Sequence, residues 1–171
     1  MTAALPHLET QRSVLRITHQ TGEADFEKVH TAYANAGWNE RADVRRYIDN
    51  MVAEFAAADL IISRAGATTS AELVAAGKAA IMIPFPQAAD DHQRKNAEAL
   101  QTAGAARMIL QQDLTGERLA AEIAALVNAP DELTRMEQSS RKLARGDAAA
   151  VTVDLIEELG VRSQKSGVRR N

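Results

Sequence analysis

The sequence predicts an α/β fold in which helices cover both faces of a parallel sheet. Short, apolar, β-branched runs alternate along the chain with segments whose apolar residues recur three and four positions apart. Glycine ends three of the four helical segments that lie between these runs. Strands and helices alternating at this spacing form βαβ units, in which crossover helices join parallel strands. Ligands of such sheets bind beyond the carboxyl ends of the strands.

The first predicted element is a helix-like stretch at residues 2–11, which Pro6 interrupts. No apolar strand-like run precedes it. A parallel sheet that begins in this way is expected to lack its first strand. The alternative is that the helix itself is the first element of the fold.

Four strands are predicted, at residues 14–18, 59–63, 80–84 and 106–110. A further short edge strand is predicted at residues 42–48, with a helical turn as the alternative. Helices are predicted at residues 25–37, 50–58, 69–77, 92–104, 115–128, 131–144 and 148–160. We expect residues 1–160 to form one domain and residues 161–171 to form a polar tail.

Composition excludes several classes of function. The chain has 171 residues, a formal charge of −3 and a pI near 5.8, whereas nucleic-acid binders usually carry a clustered basic excess. It contains no cysteine, which excludes disulfides and thiolate metal sites and favours a cytoplasmic location. Its longest apolar runs are too short to cross a bilayer. The basic residues of the tail are better explained as a solvated end than as a lipid-binding patch.

The stretch SRAGATTSAEL, residues 63–73, follows a predicted strand and opens a predicted helix near Thr68 or Thr69. Gly66 permits a tight turn, and the free N–H groups at a helix start can bind a phosphate. Glu72 can accept hydrogen bonds from the two hydroxyls of a ribose. These features together predict a nucleotide site. The alternative is a capping box, in which Thr69 caps the helix and Glu72 folds back onto its backbone.

A second candidate stretch is PFPQAADDHQRKNA, residues 84–97, where a helix starts near Asp90 or Asp91. His92, Gln93 and Asn96 in its first turns suit sugar hydroxyls, because their side chains donate and accept hydrogen bonds without imposing a net charge. An ordinary polar helix start is the alternative. A metal site formed by Asp90, Asp91 and His92 is disfavoured, since the side chains of neighbouring residues on a helix point apart.

The motifs ADLIISRAGATTSAEL, PFPQAADDHQRKNA and AGAARMI, with HQTG and YIDNM before them in the same order, resemble the carboxyl-terminal domain of the bacterial glycosyltransferases that form lipid II. The resemblance covers nearly the whole chain. It implies the Rossmann-like carboxyl-terminal half of a glycosyltransferase-B fold. It also implies that N-acetylglucosamine passes from UDP-N-acetylglucosamine to undecaprenyl-pyrophosphoryl-N-acetylmuramoyl-pentapeptide, without metal or other cofactor and with inversion.

The resemblance also assigns donor-binding residues by position. The backbone of Ile48 meets the uracil, the stretch from Ala67 through Ser70 and Ala71 approaches the phosphates, and Glu72 binds the ribose. Gln93 and His92 contact the sugar, although some family members have glutamine where this chain has His92. The predicted donor site therefore consists of Ile48, Ala67, Thr68, Thr69, Ser70, Ala71, Glu72, His92 and Gln93.

The family carries a glycine-rich loop and an amino-terminal acceptor domain ahead of the region matched here. We therefore expect Met1 to be an internal methionine of a longer protein, and we assign no catalytic residue. Lipid I is the acceptor that the missing domain would bind, at the cytoplasmic face of the membrane. The alternatives are a non-catalytic module that binds UDP-N-acetylglucosamine and another UDP-sugar enzyme of the same fold, such as an epimerase.

Overall fold

The computed structural model describes residues 1–87 and 91–146. Its strands in this part of the chain are β1 Ile17–Gln20, β2 Ala42–Arg45, β3 Leu60–Ser63, β4 Ala79–Met82 and β5 Ala106–Met108. Its α-helices are α1 Phe26–Asn35, α2 Met51–Ala57, α3 Ala67–Ala76, α4 His92–Thr102, α5 Gly116–Val127 and α6 Pro130–Gly146. Short 3₁₀ segments span Thr2–His7, Glu9–Gln11 and Gln111–Asp113.

All five predicted strands are present, and the ambiguous stretch at residues 42–48 does form a strand, β2, over its first four residues. β1 starts three residues later than predicted, because its pairing begins where the Ile17 N–H donates to the Arg41 carbonyl at 2.9 Å. The helix-like opening stretch forms two 3₁₀ segments instead of an α-helix. The predicted helix at residues 148–160 and the tail lie outside the described residues.

Every strand pair in the described residues is parallel, and the strands form two hydrogen-bonded sets. In the first set β1 pairs with β2, with Ile17 opposite Ala42. In the second set β4 lies between β3 and β5, with Leu60 opposite Ala79 and Ala80 opposite Ala106. The predicted parallel α/β fold is thus confirmed. The expected missing first strand stays a prediction.

Alternate residues of the strands enter two apolar cores, as the pleat of a β-strand requires. On β4, Ala79 and Ile81 join the first core, and Ala80 and Met82 join the second. The first core also contains residues of α1, α5 and both strand sets, so β1 and β2 pack against the same core as β3 and β4. The second core is closed by α3 and α4. Helices therefore cover both faces, as predicted.

The amino-terminal segment is held against α5. Ala4, Leu5 and Leu8 are fully buried in the first core. Gly116, the first residue of α5, lies so close to this segment that an added Cβ would overlap the carbonyl group of Ala3. The contact requires glycine for reasons of space, since the start of a helix does not otherwise need it.

A histidine–tyrosine pair joins β1 to α1. The Nδ1 atom of half-buried His19 lies 3.2 Å from the hydroxyl oxygen of Tyr33, which is buried. Burial lowers the pKa of His19, with a smaller contribution from the charged amino terminus, and burial raises the pKa of Tyr33. Both groups are therefore neutral when they form this hydrogen bond near neutral pH.

None of the helices in the described part of the chain is long and apolar enough to cross a bilayer.

We expect Gly116→Ala to lower the free energy of unfolding by about 1–3 kcal/mol, because the new methyl group must push the Ala3 backbone away. Gly66→Ala is the matched control, since a Cβ there meets no atom within 4 Å. The control should cost less than about 1 kcal/mol. Urea unfolding measures both, and equal losses would contradict the close contact.

We expect His19→Asn to flatten the dependence of stability on pH. The folded pKa of His19 lies below its ordinary value of 6.5, so the unfolded chain binds more protons just below that pH. The free energy of unfolding therefore falls as the pH drops below 6.5, by at most about 1.4 kcal/mol per pH unit. Asparagine does not titrate and keeps an acceptor for Tyr33. Urea unfolding across this pH range measures the effect, with His30→Asn as the control at an exposed histidine. If the free energy of unfolding depended on pH with the same slope in wild type and in His19→Asn, the interpretation would be contradicted.

Candidate functional site

Because pairing is parallel within each set, the loops after β1 and β2 open at one edge of the first set, and the loops after β3, β4 and β5 open at one edge of the second. The residues predicted from the sequence lie in the loops after β2, β3 and β4 and at the starts of α3 and α4. A cavity of about 330 Å³ lies elsewhere, beside the amino end of β2, and contains none of them. Its lining residues are Arg12, Gly37, Asn39, Glu40 and Arg41.

Helix α3 begins at Ala67, one or two residues earlier than predicted. Its N-cap is Gly66, which is extended (φ −63°, ψ 152°) and offers no side chain. The first helical hydrogen bond runs from the Ser70 N–H to the Gly66 carbonyl at 2.9 Å. Within the described residues, the amides of Ala67, Thr68 and Thr69 donate to no acceptor. This end of the helix therefore presents three free donors with a partial positive charge.

The capping-box interpretation is wrong, because Thr69 lies inside the helix and no side chain caps it. Glu72 accordingly belongs to the second turn of α3, and it is exposed, with no ion pair or hydrogen bond to any residue in the described ranges. Thr68 is exposed and lies four positions earlier, so the two side chains share one face of the helix. Ala71 is exposed beside them, whereas Thr69 and Ser70 are half-buried.

The loop after β2 is fastened to the end of β1. The N–H groups of Thr21 and Gly22 donate to the carbonyls of Arg45 and Arg46 at 2.9 and 3.0 Å, which continues the strand pairing. The Ile48 N–H then donates to Oε1 of Gln20 at 2.9 Å. The sequence analysis missed Gln20, although its place at the end of a strand, in the HQTG motif, was a usable signal.

The start of α4 is tied to the loops around it. Gln93 accepts a hydrogen bond at Oε1 from the Phe85 N–H at 3.0 Å, while His92 is exposed as the first residue of the helix. The Nδ2 group of Asn96 donates to the carbonyl of Ala65 at 3.0 Å. Asn96 therefore supports the turn before α3. The hydrogen that its Nδ2 group donates there is not available to the sugar hydroxyl that the sequence predicted as its partner. Asp91 is the N-cap, but its side chain does not cap the helix.

Arg64 lies between these loops. An arginine at the end of a strand most often makes a local ion pair, but Arg64 makes none with the residues that the structure describes. Its guanidinium donates instead to the carbonyl of Ile83 at 3.2 Å and lies 5.5 Å from the centre of the Phe85 ring. Arg64 thus holds the loop after β4 against the turn before α3. The structure brings α3, the loop after β4 and α4 into direct contact, and it fastens Ile48 separately to β1.

The family model of the glycosyltransferase family 28 C-terminal domain matches residues 1–152. A relative from Citrifermentans bemidjiense is 55% identical over 150 residues, which cover 88% of this chain and 41% of the relative. A relative from Anaeromyxobacter sp. is 49% identical, covering 91% and 40%. Both are named UDP-N-acetylglucosamine–N-acetylmuramyl-(pentapeptide) pyrophosphoryl-undecaprenol N-acetylglucosamine transferase. The chain thus spans about two fifths of the length of these relatives.

Solved structures agree with this assignment. MurG of Acinetobacter baumannii superposes with a TM-score of 0.74 at 35% identity, over 92% of this chain and 45% of that one. WaaG, a glycosyltransferase of lipopolysaccharide biosynthesis, superposes with a TM-score of 0.62 at 11% identity, over 86% of this chain and 48% of that one, which shows a shared fold alone. The chain therefore belongs to glycosyltransferase family 28, by its C-terminal domain.

Proposed function

We propose that this chain is the donor-binding part of an enzyme that transfers N-acetylglucosamine from UDP-N-acetylglucosamine to undecaprenyl-pyrophosphoryl-N-acetylmuramoyl-pentapeptide. The family match and the names of the relatives support this activity. The observation that carries it is the uncapped start of α3 with exposed Glu72 on the same helix. One end of that helix suits an anion, and the carboxylate suits a diol.

The pyrophosphate would accept hydrogen bonds from the free amides of Ala67, Thr68 and Thr69, with the Thr68 hydroxyl and the small residues Ser70 and Ala71 beside it. Glu72 lies five residues after Ala67, which is about 7.5 Å along the helix axis. Its two carboxylate oxygens would accept from the two ribose hydroxyls. Phosphate and ribose are neighbours in UDP, so one helix would bind both.

The remaining contacts would come from the loops after β2 and β4. The backbone of Ile48 would meet the uracil. The Oε1 atom of Gln93 already accepts from Phe85, so its NH₂ group is the part that would donate to a sugar hydroxyl. His92, exposed at the start of α4, would contact the sugar beside it.

In the proposed reaction the acceptor hydroxyl displaces UDP in one step, and negative charge grows on the departing pyrophosphate. The amides at the start of α3 are fixed in place before the reaction and would stabilise that charge without reorganising. We assign no general base to this chain. The acceptor lipid would be bound by a part of the enzyme outside residues 1–160, at the cytoplasmic surface of the membrane.

We expect Glu72→Ala to weaken UDP binding by about 1–3 kcal/mol, because two charge-assisted hydrogen bonds to the ribose are lost. Calorimetry on the folded chain measures this, with Glu117→Ala as the control at an exposed carboxylate of α5. Equal affinity of Glu72→Ala and wild type for UDP would refute the ribose role. A folded wild type that binds no UDP would refute the proposed function itself.

We expect Gly66→Ser to weaken UDP binding without lowering stability. Serine tolerates the extended N-cap backbone, and its Cβ meets no atom within 4 Å. Its hydroxyl oxygen would accept from one of the free amides of α3, which is neutral or favourable for the helix by a few tenths of a kcal/mol. That amide is then lost to the phosphate. Unchanged affinity for UDP in calorimetry would show that these amides do not bind it.

A further inference from the structure

Strand β1 has one unpaired edge. Among the described residues it pairs with β2 alone. The N–H groups of Ile17 and Thr21 donate to carbonyls on the β2 side. Successive residues of a strand direct their backbone groups to opposite sides, so those of Thr18 and Gln20 are directed away from β2.

Strand β3 also has one unpaired edge, since β4 is its partner among the described residues. The carbonyl of Ser63 accepts the Ile83 N–H on the β4 side at 2.8 Å. By the same alternation, the backbone groups of Leu60 and Ile62 are directed away from β4. Their side chains pack against the first core. Backbone N–H and carbonyl groups beside a core need hydrogen-bond partners, so this edge is suited to another strand.

The crossover helices determine which edges face each other. Helix α1 joins β1 to β2 and lies in the first core, whereas α3 joins β3 to β4 and lies in the second core. Crossovers between parallel strands are right-handed, so helices on opposite faces carry the chain in opposite directions across the sheet. Helix α2 joins β2 to β3 and contacts the second core through Phe55. The rule therefore gives the order β2, β1, β3, β4, β5, in which the unpaired edges of β1 and β3 face each other.

The burial of the strands agrees with a place for one more strand between β1 and β3. Strand β4, which has a partner on each side, is buried at all four of its residues. Strand β3 is fully buried only at Ile61, and β1 alternates between half-buried and exposed residues. β1 and β3 nevertheless contribute to the same first core through Ile17 and Leu60. Two facing edges above one core are thus left without a shared neighbour among the described residues.

The amino-terminal segment leads to the same position. It is buried in the first core through Leu5 and Leu8, contacts both α1 and α5, and continues into β1. It lies on the same face as α1, which carries the chain from β1 to β2. A right-handed crossover through this segment would therefore start from a strand on the other side of β1. That side faces β3.

We propose that the edges of β1 and β3 together bind one added parallel strand, which joins the two strand sets into one sheet. In a longer protein the stretch ahead of Met1 would supply it. The relatives matched here are longer than this chain, and the matching family model describes a C-terminal domain. The proposal concerns an interaction surface and is independent of UDP binding.

The surface defines the chemistry of this strand. It is about four residues long, as β1 and β3 are. Apolar cores lie on both faces of the neighbouring β3, so its residues are β-branched and apolar in an unbroken run. It contains no proline, because each of its backbone N–H groups donates to one of the two neighbouring strands.

The test extends the chain ahead of Met1 by the strand sequence Lys-Val-Ile-Val-Ile, joined through a flexible linker of about eight glycine and serine residues. The matched control carries Lys-Val-Ile-Pro-Ile on the same linker, which lacks one backbone donor and disfavours pairing on both sides. Amide hydrogen exchange should be about tenfold slower or more in the strand extension than in the control, at Thr18 and Gln20 and at Leu60 and Ile62. The urea midpoint of the strand extension should also be higher.

Three outcomes would overturn the proposal. The first is equal exchange at these four amides in the two extended chains. The second is slower exchange at Val44 or Met108 instead, because their backbone groups lie on the outer edges of β2 and β5. The third is that the unextended chain already protects Leu60 and Ile62 as strongly as the strand extension does. Each of these outcomes leaves the proposed donor function untouched, since UDP binding is measured separately.

Discussion

Parallel strand pairing is the constraint on which the rest of this structure depends. It places the loops after β3 and β4 at one edge of their sheet and the loop after β2 at the same edge as the loop after β1. Pairing in register also requires each connecting helix to cross a face of the sheet, and both faces are consequently covered by apolar cores. Backbone hydrogen bonds between the strands thus determine where the loops of the proposed donor site begin.

Side chains at this edge serve first to hold the loops. Asn96 binds the turn before α3, Gln93 binds the loop after β4, and Gln20 binds the loop after β2. Each uses one half of an amide for a backbone contact. An amide group carries both a donor and an acceptor, so a residue held in this way can still offer the other half to a ligand. This explains why uncharged amides, rather than charged side chains, occupy these positions.

The elements were largely predictable, because periodic apolar residues and glycine stops report burial and helix ends directly. The start of α3 was misplaced because Thr69 and Glu72 fit a capping box at the level of residue spacing, whereas the backbone places the cap at Gly66. Arg64 could not be assigned, since its partners are a carbonyl and an aromatic ring on another loop. Contacts between loops depend on tertiary packing, which residue spacing does not encode.

The helix starts of this fold differ in a way that stability alone does not explain. Asn50 and Thr115 cap α2 and α5 through side-chain oxygens that accept from Ala53 and Arg118 at 3.0 Å. Such caps typically contribute about 0.5–2 kcal/mol. Helix α3, which begins beside two loops of the candidate site, has glycine at the same position and leaves its first amides unpaired. Helices α1 and α4 also start without a side-chain cap, although aspartate stands at both of their N-cap positions. What distinguishes α3 is that its N-cap residue has no side chain with which to cap the helix. A side-chain cap there would occupy the donors that an anion needs, so glycine at this position keeps them available to one.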